Sequence, residues 1–209
     1  MKLYDNTLAP NPRRARIFIA EKGLDIPKQE IDIRGGENLT DAYRKINPWG
    51  LVPALELDDG TVISEVPCIF RYFEDLHPEP NLLGRNPKET AIIGAWERFS
   101  EMNGSQAIGE FFRNQSEIFA ARAVAGYAGT KAIPALVERG RERTAWYHAQ
   151  IEQRLAANAF VAGDRYTAAD ITALCAIDFG NRVGLAVPER NAHTLRWHAT
   201  VSARPSAAA

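Results

Sequence analysis

The first third of the chain carries short apolar stretches with the periodicity of strands, and amphipathic helical segments separate them. The strand-like stretches are residues 2–4, 28–33, 51–57 and 61–63, with an Asp-Asp-Gly turn between the last two. Residues 13–22 and 67–76 instead repeat apolar side chains every three or four positions, which is typical of helices with one buried face. The order β-α-β followed by β-β-α predicts a small mixed sheet of four strands that carries helices.

Strand-like patterns stop at the sequence His-Pro-Glu-Pro of residues 77–80, and helical periodicity dominates the remainder of the chain. Residues 88–113 and 134–155 predict two long helices, with alanine-rich sequence between them. The last residues, 207–209, are alanines that we expect to fray. The predicted division is an α/β domain at residues 1–78, a linker at 79–86 and an all-helical domain at 87–209.

Composition and charge exclude several classes of protein. With 209 residues, 45% of them hydrophobic and 24% charged, the chain has the composition of a globular protein. Its net charge of −1 produces no field that would attract nucleic acid or an anionic membrane surface. No apolar run approaches the ~20 residues that span a bilayer, and the N-terminus turns polar too soon for a signal peptide. We therefore expect a cytoplasmic protein without nucleic-acid or membrane partners.

The thiols and imidazoles show no pattern of a metal or disulfide site. Cys68 and Cys175 are the only cysteines, and they do not form a Cys-x-x-Cys pair. Both lie in apolar helical patterns, so we predict that each is a small buried side chain. The four histidines have no spacing typical of metal ligands or of a catalytic pair, so no metal cofactor is expected.

A helix-capping motif lies at residues 163–171 in the second half of the chain. Thr167 is followed three residues later by Asp170, whose carboxylate can accept a hydrogen bond from the Thr167 amide. Loss of such a cap costs about 0.5–2 kcal/mol. We therefore predict a structural role for this motif and no catalytic one.

The most specific motif of the chain lies between residues 47 and 65. It reads Asn-Pro-x-Gly-x-Val-Pro-x-Leu over 47–55, then a turn, then Ile-x-Glu at 63–65. This string resembles the glutathione-binding core of the glutathione transferase family, and the capping motif resembles a second motif of that family. The resemblance implies a thioredoxin-like N-terminal domain, an all-helical C-terminal domain, glutathione as co-substrate and a two-fold homodimer.

The resemblance also assigns positions to glutathione. The assigned positions are Asn38, Leu39, Val52, Pro53, Glu65 and Val66. The backbone of Val52 would pair with the cysteinyl part of glutathione, and the bond to Pro53 would be cis. Glu65 and Val66 would meet the γ-glutamyl end at a helix N-terminus. Asn38 would replace a missing contact to the glycyl carboxylate.

Three positions depart from the family pattern. Many relatives have Lys at the position of Leu39, most have Ser at Val66, and others have Tyr, Ser or Cys in the loop that here contains Ala9. At ~1–2 kcal/mol for each lost contact, a micromolar dissociation constant for glutathione would move toward millimolar. These departures leave open a non-catalytic binding protein with the same fold.

The thiolate donor therefore has to come from other groups. A free thiol has a pKa of ~8.5, and lowering it by about two units requires ~2.7 kcal/mol of preferential thiolate stabilisation. The candidate donors are Asn11, Thr7, backbone amides at the first helix, and a water held by Ser105 and Gln106. Alternatively, Asn11 is only a turn residue before a proline. Arg13, Arg14 and Arg16 are expected to form a mostly solvated basic face, in which one of them could help to hold a thiolate or a carboxylate.

The electrophile is expected to bind between the two domains. Ser105, Gln106 and Phe112 are candidate lining residues, although each also fits a core or dimer contact. The resemblance favours conjugation of glutathione to a small apolar electrophile, as in detoxification. Isomerisation, dehalogenation or peroxide reduction with glutathione are alternative reactions on the same fold.

Overall fold

The computed structural model describes residues 1–209, and the first third of the chain folds around a four-stranded sheet. The strands are β1 (Lys2–Asp5), β2 (Lys28–Glu30), β3 (Ala54–Glu56) and β4 (Val62–Ser64). Their order is β2-β1-β3-β4, with β1 parallel to β2 and antiparallel to β3. β3 and β4 form an antiparallel hairpin. The predicted mixed sheet is confirmed.

The two central strands carry the buried side chains of the sheet, whereas β2 is an exposed edge. Leu3 lies opposite Leu55, and both are buried against the helices. The alternation in residues 28–33 predicted a half-buried strand, but all three residues of β2 are exposed. The pairing ends where the Ile31 N–H donates to the Asp5 carbonyl at 2.9 Å. The strand is therefore shorter than predicted, but the apolar positions of the alternation do lie inward, because Ile31 is buried and Ile33 is half-buried.

Three helices accompany the sheet: α1 (Pro10–Glu21), α2 (Asp41–Arg44) and α3 (Val66–Leu76). α1 begins earlier than predicted, because Pro10 and Pro12 are tolerated in a first turn whose N–H groups have no intrahelical acceptor. It ends before Gly23, which adopts a positive φ of 69°.

The rest of the chain is helical, as predicted. The helices are α4 (Pro87–Ser100), α5 (Gln106–Gln115), α6 (Pro134–Ala156), α7 (Ala168–Arg182) and α8 (Ala192–Ser202). Short 3₁₀ turns cover Glu37–Leu39, Glu117–Phe119 and Pro205–Ala208. α3 ends at Leu76 and α4 begins at Pro87, so the expected linker lies in irregular chain between them. None of the helices combines the length and the apolar character needed to cross a bilayer.

The long helix predicted for residues 88–113 is interrupted. A π-helical turn, Glu101–Ser105, separates α4 from α5. At its fourth residue, Gly104, a Cβ atom would lie 2.9 Å from ring carbons of Tyr147 on α6. The π-helical turn therefore lies where α6 approaches closely. No proline or repeat in the sequence predicts this turn.

One hydrophobic core runs from the sheet into the helical half, because α1 packs against both α3 and α7. The capping motif begins α7 as predicted: the Thr167 amide donates to Asp170 Oδ2 at 3.0 Å. Asp170 Oδ1 also accepts from the Trp197 indole at 2.8 Å. The expectation that the chain end frays was wrong, because the turn Pro205–Ala208 packs on α1 and buries Ser206.

Candidate functional site

The chain entering β3 is held by side chains rather than by strand pairing. Asn38 Nδ2 donates to the Gly50 carbonyl at 2.7 Å. The Leu51 carbonyl accepts from the Tyr43 hydroxyl at 2.7 Å and from Asn47 Nδ2 at 2.8 Å. These three donors fix the backbone just before Val52 without using Val52 itself.

Val52 is left with an unused main chain. Neither its N–H nor its carbonyl has a hydrogen-bond partner within the chain. The Val52–Pro53 peptide is cis, as the resemblance implied, and Pro53 is buried beside β3. A partly exposed residue with both main-chain groups unpaired can pair with an extended ligand.

The start of α3 lies directly after β4 and offers a second set of free groups. Glu65 has a φ of 69°, the only positive φ among the non-glycine residues, and its side chain is exposed. Such a conformation costs of order 1–3 kcal/mol and is concentrated at ligand sites. Val66 is the first helical residue, so its N–H has no intrahelical acceptor. The free amide and the helix dipole suit a carboxylate.

The start of α1 has few amides to offer a ligand. Its cap, Ala9, provides no side-chain hydrogen bond, and Pro10 and Pro12 have no N–H group. The Asn11 N–H makes no hydrogen bond within the chain, and the Asn11 side chain is exposed. Asn11 is therefore the residue of the first turn that presents both a main-chain and a side-chain donor.

Thr7 lies in the loop before α1 but uses its polar groups locally. Its hydroxyl donates to Glu30 Oε2 at 3.0 Å, and its amide donates to Glu30 Oε1 at 3.0 Å. Arg16 Nη2 donates to the Thr7 carbonyl at 3.2 Å. Thr7 thereby joins the loop to β2 and to α1, and its hydroxyl proton is engaged.

The expectation of a solvated basic face on α1 was wrong. Each of its three arginines forms an ion pair with a carboxylate. The pairs are Arg13 with Asp178 at 2.5 Å, Arg14 with Glu97, and Arg16 with Asp5 at 2.6 Å. Arg14 and Arg16 are buried. Because two of the three carboxylates come from distant parts of the chain, the local sequence did not reveal this burial.

Ser105, Gln106 and Phe112 lie along the π-helical turn and α5. Ser105 is buried, and its hydroxyl has no partner within the chain, whereas Gln106 is exposed. Phe112 is half-buried in an aromatic cluster, with its ring 5.6 Å from that of Phe119 and 5.5 Å from that of Phe179. The π-helical turn thus carries a buried hydroxyl without a hydrogen-bond partner.

In the turn Glu37–Leu39 the side chain of Asn38 points inward. Asn38 is buried, and its Oδ1 has no partner; Leu39 is half-buried. Sequence reasoning missed Arg44 at the end of α2, where Nη2 donates to the Gly126 carbonyl at 3.3 Å and Nε has no partner. No spacing marks Arg44 in the sequence, because the loop that contains Gly126 folds over it from the other half of the chain.

The two cysteines differ in exposure. Cys175 on α7 is buried as predicted, and burial raises the pKa of its thiol to about 11. The prediction was wrong for Cys68, which is exposed on α3. No group of three or more His, Cys, Asp or Glu side chains is arranged to hold a metal ion.

Comparison with known proteins identifies relatives of both halves of the chain. The family model of the glutathione S-transferase N-terminal domain matches residues 9–76, and that of the C-terminal domain matches residues 113–205. Glutathione S-transferase 2 of Saccharomyces cerevisiae is 30% identical over 211 residues, which cover 99% of this chain and 87% of that relative. A maleylacetoacetate isomerase of Pseudomonas aeruginosa is 39% identical over 93 residues, or 44% of each chain.

A solved structure extends the similarity to the whole fold. The crystal structure of a glutathione S-transferase domain-containing protein from Marinobacter aquaeolei superposes with a TM-score of 0.89. It is 37% identical, and the match covers 99% of both chains. The chain belongs to the glutathione S-transferase family.

Proposed function

We propose that this protein is a glutathione transferase that joins the glutathione thiolate to a small apolar electrophile. The observation that carries the proposal is the Val52 main chain, whose N–H and carbonyl are unpaired beside the open start of α3. The cysteinyl part of glutathione is an extended peptide that can pair antiparallel with Val52. Glutathione is the co-substrate, and the proposed chemistry uses no metal.

The two ends of glutathione find groups of opposite charge. The γ-glutamyl carboxylate would accept from the Val66 N–H at the start of α3, where the helix dipole favours an anion. The exposed Glu65 carboxylate would accept from the γ-glutamyl ammonium. The glycyl carboxylate would lie toward Leu39 and the cation of Arg44 rather than against Asn38, because the buried Asn38 amide donates to the Gly50 carbonyl.

Asn11 is the proposed thiolate donor. Its N–H is unpaired at the start of α1, and its side-chain amide adds a second donor. Hydrogen bonds to charged groups contribute ~1.5–3 kcal/mol each. Two of them together, at ~3–6 kcal/mol, exceed the ~2.7 kcal/mol that lowering a thiol pKa by two units requires. The thiolate would then attack an electrophile that is bound beside the aromatic ring of Phe112.

The test combines glutathione titration calorimetry with turnover of an activated aryl halide. Asn11→Ala keeps the backbone donor and removes the side-chain donor, so kcat should fall roughly 10- to 100-fold. The dissociation constant of glutathione should change less than about threefold, because Val52 and Val66 remain. Asn158→Ala is the matched control, since that amide contacts only the Arg154 carbonyl on α6. A wild-type protein that shows no heat with millimolar glutathione contradicts the proposal.

Ser105 is the second candidate for thiol activation. Its buried hydroxyl lacks a partner, so a water between Ser105, Gln106 and the thiol would satisfy it. Ser105→Ala with unchanged kcat and unchanged thiol pKa would exclude this role and leave Asn11 as the donor.

Two alternatives share the same glutathione site. The local similarity to a maleylacetoacetate isomerase supports isomerisation, which an assay with a cis-dienone acid would detect. Ala9, Leu39 and Val66 favour a binding protein without turnover. Glutathione binding without reaction across a panel of aryl halides, peroxides and unsaturated acids would favour that second alternative.

We further propose that the protein is a homodimer in the cytoplasm. The support is an aromatic face across α4 and α6, where Phe99 lies 5.4 Å from Trp96 and 5.6 Å from Trp146. Trp146 remains 49% exposed in the single chain. Light scattering should give about twice the 23.2 kDa chain mass, and Trp146→Glu should shift it toward one chain.

A further inference from the structure

Arg14 is the most completely enclosed charge near the candidate site, with 1% of its surface exposed. Its guanidinium uses each of its three nitrogens. Nε donates to Thr172 Oγ1 at 3.1 Å, and Nη2 forms an ion pair with Glu97. Nη2 also lies 3.5 Å from Glu101 Oε2. These three partners all belong to the helical half of the chain.

The remaining nitrogen of Arg14 contacts the proposed thiolate donor. Nη1 donates to Asn11 Oδ1 at 3.0 Å. A guanidinium has only donors, so the atom of the carboxamide that faces it must be the oxygen. The Asn11 amino group is then directed away from Arg14, and it has no acceptor within the chain.

We propose that Arg14 is a positioning residue that holds the Asn11 carboxamide with its amino group facing the glutathione thiol. Glu97, Glu101 and Thr172 in turn hold Arg14, so the helical half sets the geometry of the thiol site. The inference rests on the proposed function, because it assigns a role to the same donor.

The charges around Arg14 explain why it stays in place. Moving a single buried guanidinium is costly unless its carboxylate partners move with it. Glu97 is buried on α4, and burial raises its pKa while Arg14 lowers it. Thr172 is fully buried on α7. Glu97 on α4 and Thr172 on α7 therefore hold the Arg14 guanidinium in place. Asn11 is exposed, and without the hydrogen bond from Arg14 its carboxamide would rotate freely.

The first test needs no glutathione. The side-chain NH₂ signals of Asn11, assigned by their loss in Asn11→Ala, should show one ordered amide in the wild-type protein. Arg14→Lys keeps the charge and removes the planar fork, so those signals should broaden or average. Arg13→Lys is the matched control, because the neighbouring arginine pairs with Asp178 and does not contact Asn11. An Asn11 amide that stays equally ordered in Arg14→Lys overturns the proposal.

The second test follows the thiol pKa in the glutathione complex by thiolate absorbance. Arg14→Lys should raise this pKa toward the free value and lower kcat about tenfold, with little change in glutathione affinity. In the Asn11→Ala background the same substitution should add nothing, because its effect passes through Asn11. Equal effects in both backgrounds would show that Arg14 acts in some other way and overturn the proposal.

Glu97→Gln provides a second route if Arg14→Lys does not fold. This substitution preserves the shape of the side chain but removes the charge that pairs with Arg14. It should therefore change the Asn11 amide signals and the thiol pKa in the same direction as Arg14→Lys. Unchanged Asn11 signals in folded Glu97→Gln count against the proposal. A wild-type protein that fails to bind glutathione overturns the proposed function, whereas the amide measurement still decides whether Arg14 orients Asn11.

Discussion

At the scale of single residues, several buried cations in this protein have a carboxylate partner. Arg16 pairs with Asp5, and Lys22 Nζ lies 2.6 Å from Glu74 Oε2. Removing one partner of such a pair is costly, because the other charge remains buried. His148 is the contrasting case: it is 3% exposed, and its Nε2 has no partner.

The neutral state of His148 should make stability depend on pH. Burial lowers the pKa of His148 from 6.5 to about 4. Below pH 6.5 the unfolded chain binds a proton there that the native chain does not bind, so stability falls as pH drops from 6.5 toward 4. At about pH 5 the loss is ~2 kcal/mol. Urea unfolding near pH 5 and pH 7.5 should show this loss as the difference between the wild-type protein and His148→Gln, because the opposite contribution of buried Asp170, whose pKa is raised to about 6, is common to both proteins. An identical pH dependence in both proteins would refute the assignment.

Val66 offers a test of the proposed glutathione site. Val66→Ser adds a hydroxyl donor beside the free amide at the start of α3. Its hydrogen bond to the γ-glutamyl carboxylate should tighten the dissociation constant about fivefold or more, from ~1–2 kcal/mol of interaction. Calorimetry measures this directly. Val66→Ala is the control for lost apolar contact, and equal affinity of the two variants would contradict the proposed position of glutathione.

At the scale of elements, helix starts and interruptions shape the site. α1 begins with two prolines, which leave Asn11 to carry the free amide. The π-helical turn Glu101–Ser105 separates α4 from α5, and Ser105 within it is buried. Both features depend on packing against other helices.

Two glycines on the same helical run provide a matched pair of substitutions. At Gly104 a Cβ atom would lie 2.9 Å from the Tyr147 ring and 3.0 Å from the Ala176 Cβ, so Gly104→Ala should destabilise by about 1–3 kcal/mol. At Gly94 on α4 nothing lies within 4 Å, and Gly94→Ala should stabilise by about 0.5–1 kcal/mol. Thermal unfolding of both variants checks the signs. A neutral Gly104→Ala would mean that α6 does not constrain the π-helical turn.

At the scale of the whole molecule, the end of the chain is tied to the first helix. Arg204 donates to both Glu21 oxygens at 2.7 and 2.6 Å, and Ser206 donates to Glu21 as well. Burial opposes the charge on Glu21, but these hydrogen bonds hold its pKa below the ordinary value. Because α1 also presents Asn11, this contact helps to fix the helix that begins the proposed thiol site.

Arg204→Gln should therefore destabilise the fold in a pH-dependent way. It leaves the Glu21 carboxylate without its cation, and the expected loss near pH 7 is about 1–2 kcal/mol after allowance for solvent. The lowered pKa of Glu21 means that this contribution is present above pH 4.5 and disappears as Glu21 protonates below it. Chemical unfolding at several pH values measures the difference. Arg190→Gln, an exposed change without an ion pair, is the control.

Much of the fold and part of the site were predictable from the sequence. The four strands, the helical second half and the cap at Asp170 depend on local periodicity and turn residues, so they were predicted correctly. One local motif contains Val52, Pro53, Glu65 and Val66. In the structure the Val52 main chain is unpaired, the peptide before Pro53 is cis, Glu65 has a positive φ, and Val66 begins α3. The burial of Arg14 was missed, because its carboxylate partners Glu97 and Glu101 lie more than eighty residues away along the chain.

The sequence by itself determined the family, the order of elements and the stretch that we propose binds glutathione, because each depends on neighbouring residues and short-range backbone chemistry. Tertiary structure decided which polar groups remain free. Asn38 turned inward and Thr7 became engaged with Glu30, whereas Asn11 kept two donors. Which groups remain free depends on partners that packing brings together from distant parts of the chain. Such a hydrogen bond or ion pair produces no periodic pattern in the sequence, so it could not be predicted from the sequence.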